Sequence, residues 1–290
     1  MPEKNLIILD CTLPKGFDIA RTIDFTEQVE SYCASLSFME TGHSFSVRMI
    51  TNNDKMIASI IKKIAPTAVI KSAPIDLDTN WLLESYNQFP PLNIKEFFIY
   101  GSHYTGAFPK QKMPLVIDAA TAFGSGEHGT TKGCVEALSL LKSNKFKPKT
   151  ILDMGTGSGI LALAAYSLWR VPTLAIDNDK ESVRVACRHR KMNKIPSGDK
   201  AVTCAYGDGF AARRVKQQAP FDLIIANILA APLIDMAEIA VSALAPKGRM
   251  ILSGILKTQA AAVKKAYRAQ GLKPLKIFTR GEWVTMILSR

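Results

Sequence analysis

Apolar residues recur along this chain in two rhythms, and the change of rhythm divides it. Up to about residue 73 the order reads strand, helix, strand, strand, helix, strand. Leu6-Ile7-Ile8-Leu9 is a short apolar run suited to a strand, and Phe25, Val29 and Tyr32 fall at helical spacing within 24–34. Phe45-Ser46-Val47-Arg48-Met49-Ile50 alternates as a half-buried strand does. Gly42-His43 or Ser44 suits a hairpin joining it to the segment from Leu36 to Glu40. After a plausible cap at Asn53-Asp54, Met56, Ile57, Ile60, Ile61 and Ile64 mark an amphipathic helix. Thr67-Ala68-Val69-Ile70-Lys71 follows Pro66 as another strand. That order predicts a small α+β module of the split βαβ, ferredoxin-like kind over residues 1–73, and no catalytic constellation lies in it.

Residues 74–91 hold Pro74, Pro90 and Pro91 around Trp81-Leu82-Leu83, which reads as a linker with one short helix and Trp81 docked on a neighbour. The remainder, 92–290, is taken as one domain. From about residue 150 strands and helices alternate. Strands are expected at 150–152, 173–176, 201–203, 223–226 and 249–252, and helices at 160–168, 180–192, 231–244 and 258–270. The last two strands, Pro274 to Phe278 and Trp283 to Leu288, are joined only by Thr279-Arg280-Gly281-Glu282. So short a link makes an antiparallel pair. A parallel α/β sheet that ends in a hairpin is the methyltransferase variant of the Rossmann architecture.

Composition narrows this only a little. With 290 residues, 47% apolar and 21% charged, the chain has ample material for a core and is not a disordered sequence. No apolar run approaches a membrane span, and Met1-Pro2-Glu3-Lys4-Asn5 lacks the features of a signal peptide. The five cysteines, Cys11, Cys33, Cys134, Cys187 and Cys204, are scattered without a CxxC pair. That argues against a disulfide framework or a structural zinc site, so the chain reads as cytosolic. Charge adds an asymmetry. Residues 1–90 hold 8 Lys/Arg against 11 Asp/Glu, the other 200 hold 29 against 14, and the net charge is +12. A basic surface suits phosphate-rich neighbours, although a merely solvated basic face is the commoner case.

Asp153-Met154-Gly155-Thr156-Gly157-Ser158-Gly159 follows a strand and opens a helix. Such glycines let backbone N–H groups approach a ligand. The GxGxG spacing disfavours a dinucleotide, and without a following Lys-Ser/Thr it is no P-loop. Asp177 ends the next strand, where a carboxylate can accept both ribose hydroxyls of an adenosine ligand. Its alternative is helix capping, for which Asp179 competes. Asp208, in Tyr206-Gly207-Asp208-Gly209, either receives an adenine amino group or belongs to a tight turn. Asn227 closes the fourth strand, where its amide oxygen could accept a hydrogen bond from an incoming amine; the alternative is again a helix cap. Upstream, Ala122 to Thr131 reads either as a flexible loop with a Thr cap or as a flap over a cofactor. His128 invites a metal or general-base reading, but the four histidines form no HxxxH or HExxH pattern, so no metal is expected.

Together these segments resemble the ribosomal protein L-eleven (L11) methyltransferase family, over essentially all of 92–290 and more loosely over 1–91. The marks are the Phe123-to-Thr131 loop, the Gly155-to-Leu161 turn, Asn227-Ile228-Leu229-Ala230, Ser253-Gly254-Ile255-Leu256 and Glu282-Trp283. The resemblance implies a class I, Rossmann-like methyltransferase that uses S-adenosylmethionine, with a small N-terminal domain on a flexible linker that presents L11. The implied acceptors are lysine ε-amines and the N-terminal α-amine. Thr131, Gly155, Asp177 and Asn227 match the family's cofactor contacts; Gly157 and Asp208 join them as candidates, and Asn227 is the candidate catalytic residue. Two positions depart from the family's loop: Ser125 replaces a threonine, and Gly129 replaces a proline and removes a fixed backbone angle.

The expectation is therefore a cytosolic two-domain protein methyltransferase acting on L11, free or on the ribosome, with no membrane partner and no direct nucleic-acid substrate. The rivals are methylation of another protein, a nucleic acid or a small molecule, and an inactive methyltransferase-fold binding module.

Overall fold

Strand β1 (Ile7–Thr12) is the centre of the first unit. It is followed by α1 (Ile19–Glu30), β2 (Ser35–Thr41), β3 (Ser44–Thr51), α2 (Asp54–Ile64) and β4 (Val69–Pro74). The sheet order is β2-β3-β1-β4 and every pairing is antiparallel, the ferredoxin-like arrangement. Strand β3 alternates strictly: Phe45, Val47, Met49 and Thr51 are buried with Leu9, Cys11, Phe25, Val29, Ile57 and Ile61. On the opposite face Asp10 stands across from Arg48, and the two make a two-pronged ion pair with N–O distances of 2.6 and 2.8 Å. The computed structural model describes residues 7–33, 35–41, 44–74, 91–118 and 129–290. The chain divides into two units, residues 1–84 and 85–290.

Two local expectations need correction. Helix α1 starts at Ile19, five residues earlier than its apolar spacing suggests, because Asp18 caps it by accepting the Arg21 N–H. Tyr32 lies beyond its end and is 37% exposed. Asn53 holds the cap position of α2 but makes no side-chain capping bond; its own N–H donates to Thr51 Oγ1. The linker helix and Trp81 lie outside the described residues.

The second unit opens with a small sheet that the sequence did not announce: β5 (Leu92–Ile94), β6 (Phe97–Tyr100) and β7 (Met113–Val116). Strands of three or four residues carry too little periodicity to be read. There follow α3 (Gly129–Ser143), β8 (Ile151–Met154), α4 (Ile160–Trp169), β9 (Thr173–Asp177), α5 (Lys180–Met192), β10 (Val202–Tyr206), α6 (Arg213–Gln218) and β11 (Phe221–Asn227). The chain continues through α7 (Ala230–Asp235), α8 (Ala237–Ser242), β12 (Leu244–Leu256), α9 (Ala260–Ala269), β13 (Lys273–Arg280) and β14 (Trp283–Ser289). The helix expected over 231–244 is thus two short ones that break at Met236. Strand β12 begins early because Leu244 already pairs with Phe221, before a bulge resumes the ladder at Leu223 and Arg249.

The seven-stranded sheet runs β10-β9-β8-β11-β12-β14-β13. Its first five strands are parallel, and the final hairpin is antiparallel. Side chains alternate between two apolar clusters: Leu223 and Ile225 of β11 join one with Leu138 and Leu163, while Ile224 and Ala226 join the other with Leu233 and Val263. Helix α4 is apolar all round, and its residues from Ile160 to Tyr166 are buried. The outermost strand, β13, is exposed along nearly all its length, with Leu275 and Ile277 set among Lys273, Lys276 and Arg280. Among the described residues, no helix is long and apolar enough to cross a membrane.

Candidate active site

Strands β8, β9, β10 and β11 are parallel neighbours, so their carboxyl ends share one edge of the sheet, the usual place for a ligand in such folds. At the end of β8 the chain turns through Gly155, Gly157 and Gly159, with φ of +68°, +52° and +84°. Gly155 is required twice over: its φ is left-handed, and a Cβ there would stand 2.4 Å from Cγ2 of Ile228. The turn is pinned to β9. The N–H groups of Gly155 and Thr156 both donate to the Ile176 carbonyl at 2.9 and 3.0 Å, and that of Gly157 donates to Asp177 Oδ2 at 2.8 Å.

Beneath the turn, Asp153 Oδ2 accepts from Thr156 Oγ1 at 2.6 Å and from the Ala162 N–H at 3.0 Å, while its Oδ1 is buried without a partner. Burial pushes this carboxyl up to about 7, against the opposing pull of those two donors.

The competition for the cap of α5 is resolved by geometry. Asp179 accepts from the N–H groups of Glu181 and Ser182 and from Ser182 Oγ, and these bonds hold its carboxyl below the usual range. Asp177 takes no part in that cap. It stands half-buried at the end of β9, bonded to the Gly157 and Asp179 N–H groups. Tyr206 of β10 pairs with Asp177, so Asp208 lies just past the adjacent strand end. Its backbone carbonyl accepts from the Ala211 N–H to open a 3-10 turn, and its exposed carboxylate makes no capping bond.

Asn227 ends β11 beside Ser253 of β12. The capping position of α7 belongs to Leu229, and the Asn227 amide makes no hydrogen bond among the described residues. The loop that carries it is held tightly. Gly254, at φ +80°, lies against the Ile228 backbone, so Ile228 is wedged between the two glycines Gly155 and Gly254. Ser253 Oγ bonds Thr285 Oγ1 at 2.7 Å and reaches the Thr130 carbonyl at 3.4 Å, which ties the first turn of α3 to the strand next to Asn227. Thr131, in that turn, is 1% exposed, and its hydroxyl is buried without a partner. The upstream loop, with Gly124, Ser125 and His128, lies outside the described residues.

The sequence-derived candidates Gly155, Gly157, Asp177, Asp208 and Asn227 thus gather at adjacent strand ends, and Thr131 follows Thr130, whose carbonyl Ser253 reaches. Asp153 and Ile228 were missed. Asp153 is the one carboxylate in the apolar strand that opens the glycine motif, a signal that was present. Ile228 stands inside the Asn227-to-Ala230 mark, but nothing in residue type announces its place between Gly155 and Gly254. The orphaned Thr131 hydroxyl and Asp153 oxygen are buried groups that a polar ligand at this edge would satisfy, and the half-exposed Asn227 amide is open to one.

Five parallel strands closed by an antiparallel hairpin, with a glycine turn after the first and carboxylates after the second and third, define a class I S-adenosylmethionine-dependent methyltransferase fold. The family model for ribosomal protein L11 methyltransferase (PrmA) matches residues 25–290, and the chain belongs to that family. It is 39% identical over 249 residues to the ribosomal protein L11 methyltransferase of Rhizobium meliloti (strain 1021), covering 84% of each chain. It is 42% identical over 212 residues to that of Allorhizobium ampelinum, covering 73% of this chain and 71% of the relative. Among solved structures, the ribosomal protein L11 methylase of Lactobacillus delbrueckii subsp. bulgaricus superposes with a TM-score of 0.60 at 30% identity, over 70% of this chain and 99% of that one.

Proposed function

We propose that this chain transfers methyl groups from S-adenosylmethionine to amines of ribosomal protein L11, the lysine ε-amines and the N-terminal α-amine. The observation that carries the reading is the unpartnered Asn227 amide, at the end of β11 beside the glycine turn, in a chain whose relatives bear that name. Thr131, Gly155, Gly157, Asp177 and Asp208 would hold the donor: Asp177 by accepting ribose hydroxyls, Asp208 by receiving an adenine amino group, Thr131 through its hydroxyl, and the glycines through close backbone approach. When bound, the donor supplies an electrophilic methyl on a sulfonium.

The chain's own work is positioning. The Asn227 oxygen accepts an N–H of the entering amine and aims its lone pair along the strand-end edge. The amine must be neutral to attack, and no His or carboxylate stands out as a dedicated base. Desolvation lowers the pKa of an entering ammonium, and its proton passes to water. The N-terminal unit lies in the net-acidic part of the chain and serves as the docking module for a basic protein, raising the local concentration of acceptor amines.

Transfer of a radiolabelled methyl group into purified L11, RNA and small-molecule pools tests this. Label is expected in L11 and is expected to be lost with Asn227→Ala. Label in RNA would favour the nucleic-acid reading suggested by the basic second half, and no label anywhere would favour an inactive binding module.

A further inference from the structure

We propose that His189 is a positioning residue for the donor site, locking the glycine turn to the end of β7 through a neutral imidazole of fixed tautomer. The inference rests on the reading of that turn as the donor site.

His189 lies on α5 and is fully buried at 0% exposure. Its Nε2 accepts the backbone N–H of Asp118 at 3.1 Å, so the ring proton sits on Nδ1, which donates to the Ser158 carbonyl at 2.7 Å. Ser158 stands between Gly157 and Gly159. The turn is therefore gripped from two sides at consecutive residues: Asp177 accepts the Gly157 N–H and the His189 Nδ1–H donates to the Ser158 carbonyl. The other end of the lock is equally well fixed. Asp118 Oδ2 pairs with Arg188 Nη2 at 3.0 Å and its Oδ1 accepts the Ser102 N–H at 2.7 Å. Asn193, one helical turn beyond His189, bonds both the N–H and the carbonyl of Val116 at 2.8 Å.

Among the described residues the charged groups facing the imidazole are Arg188, from its own helix, and Asp118, from the end of β7; they pull in opposite directions, and the glycine turn presents a carbonyl. Burial is the larger influence and holds the imidazole below its ordinary 6.5. Protonation would set an Nε2–H against the Asp118 N–H, two donors facing each other, and would release β7 from the turn. Donor affinity then falls as pH drops through the imidazole's titration. Asp153 titrates nearby, but equally in any His189 variant.

The test is calorimetric binding of S-adenosylmethionine to the full chain over roughly pH 5.5 to 8. The wild type is expected to lose affinity toward the acid end. His189→Asn and His189→Gln, amides that donate and accept without titrating, are expected to bind about as well as wild type at the basic end and to lack the histidine-dependent fall. His189→Leu is expected to weaken binding by about tenfold or more at the basic end, because it orphans two buried backbone groups, and to lack the histidine-dependent fall. In the ligand-free protein, nitrogen-15 NMR is expected to show the Nδ1–H tautomer. An identical pH profile in the wild type and both amides would overturn the assignment, as would the Nε2–H tautomer. If the wild type binds no donor at any pH, the reading of the turn itself fails, and this inference with it.

Discussion

A methyl group in place of the Gly254 α-hydrogen would lie 2.1 Å from the carbonyl oxygen of Ile228. That contact is backbone to backbone and has no flexible side chain to yield. Gly254→Ala should therefore displace the Asn227-Ile228 segment, and the left-handed φ adds strain of about 1–3 kcal/mol. Turnover is expected to fall on the order of 100-fold, because misplacement by about 1 Å can cost that much. Single-turnover kinetics beside thermal unfolding would check this; a variant with normal turnover would mean that the wedge around Ile228 does not position Asn227.

Thr131 separates folding from binding. Its hydroxyl is buried without a partner, so Thr131→Val should leave the unliganded fold as stable or more so, while donor affinity drops by roughly 0.5–1.5 kcal/mol. Thermal unfolding without ligand, paired with calorimetry, reads both effects; unchanged affinity would remove Thr131 from the site.

The carboxylate that ends β9 and the one that caps α5 should divide their duties. Asp177→Ala is expected to weaken S-adenosylmethionine binding by about 1.5–3 kcal/mol, the usual cost of losing a charged hydrogen bond. Asp179→Ala, which removes the helix cap, should instead cost stability of about 1 kcal/mol with little change in affinity. Calorimetry and denaturant titration of both variants would expose a reversed pattern.

Asp153 makes stability depend on pH. Its folded pKa, about 7, lies above the ordinary 3.8, so the protonated form is the one that folding favours. The stabilising contribution is complete below the unfolded pKa and is lost as pH rises through the folded one. Asp153→Asn, an isostere of the protonated acid, should therefore gain stability relative to wild type between about pH 4 and pH 7, by roughly 2–4 kcal/mol in all. Denaturant melts across that range would show the gap widening; a constant gap would mean that Asp153 stays ionised in the fold.

Tyr267 offers a control far from this chemistry. It is 1% exposed and its hydroxyl has no partner. Tyr267→Phe should be neutral or stabilising by up to about 1 kcal/mol, measured by thermal unfolding.

What could be read in advance follows from what is local. Helix Lys180–Met192 was legible at both ends because Asp179 caps it and His189, Arg190 and Lys191 crowd its last turn. The antiparallel end of the sheet was legible because the last strands are joined by too short a link to run parallel; the order of the strands was not. The site candidates were legible as residues that end or follow apolar runs. The strands of β5 to β7 were not, being too short to show a period. Nor was the role of His189, because its partner Asp118 is 71 residues away and the bond is to backbone, which leaves no trace in residue type. Gly254 is similar: its necessity comes from a loop that arrives from another strand.

The exposed strand β13 has one more consequence. An outermost strand with Leu275 and Ile277 facing water could pair with its counterpart on a second molecule. Lys273 and Lys276 make any such encounter a meeting of like charges, whereas Arg280 is already paired with Glu136, and Pro274 withholds one hydrogen-bond donor. The repulsion reaches about 10 Å at 0.1 M salt and about 3 Å at 1 M. At that edge, charge more than shape opposes the pairing of two molecules, and concentrated salt would weaken that opposition.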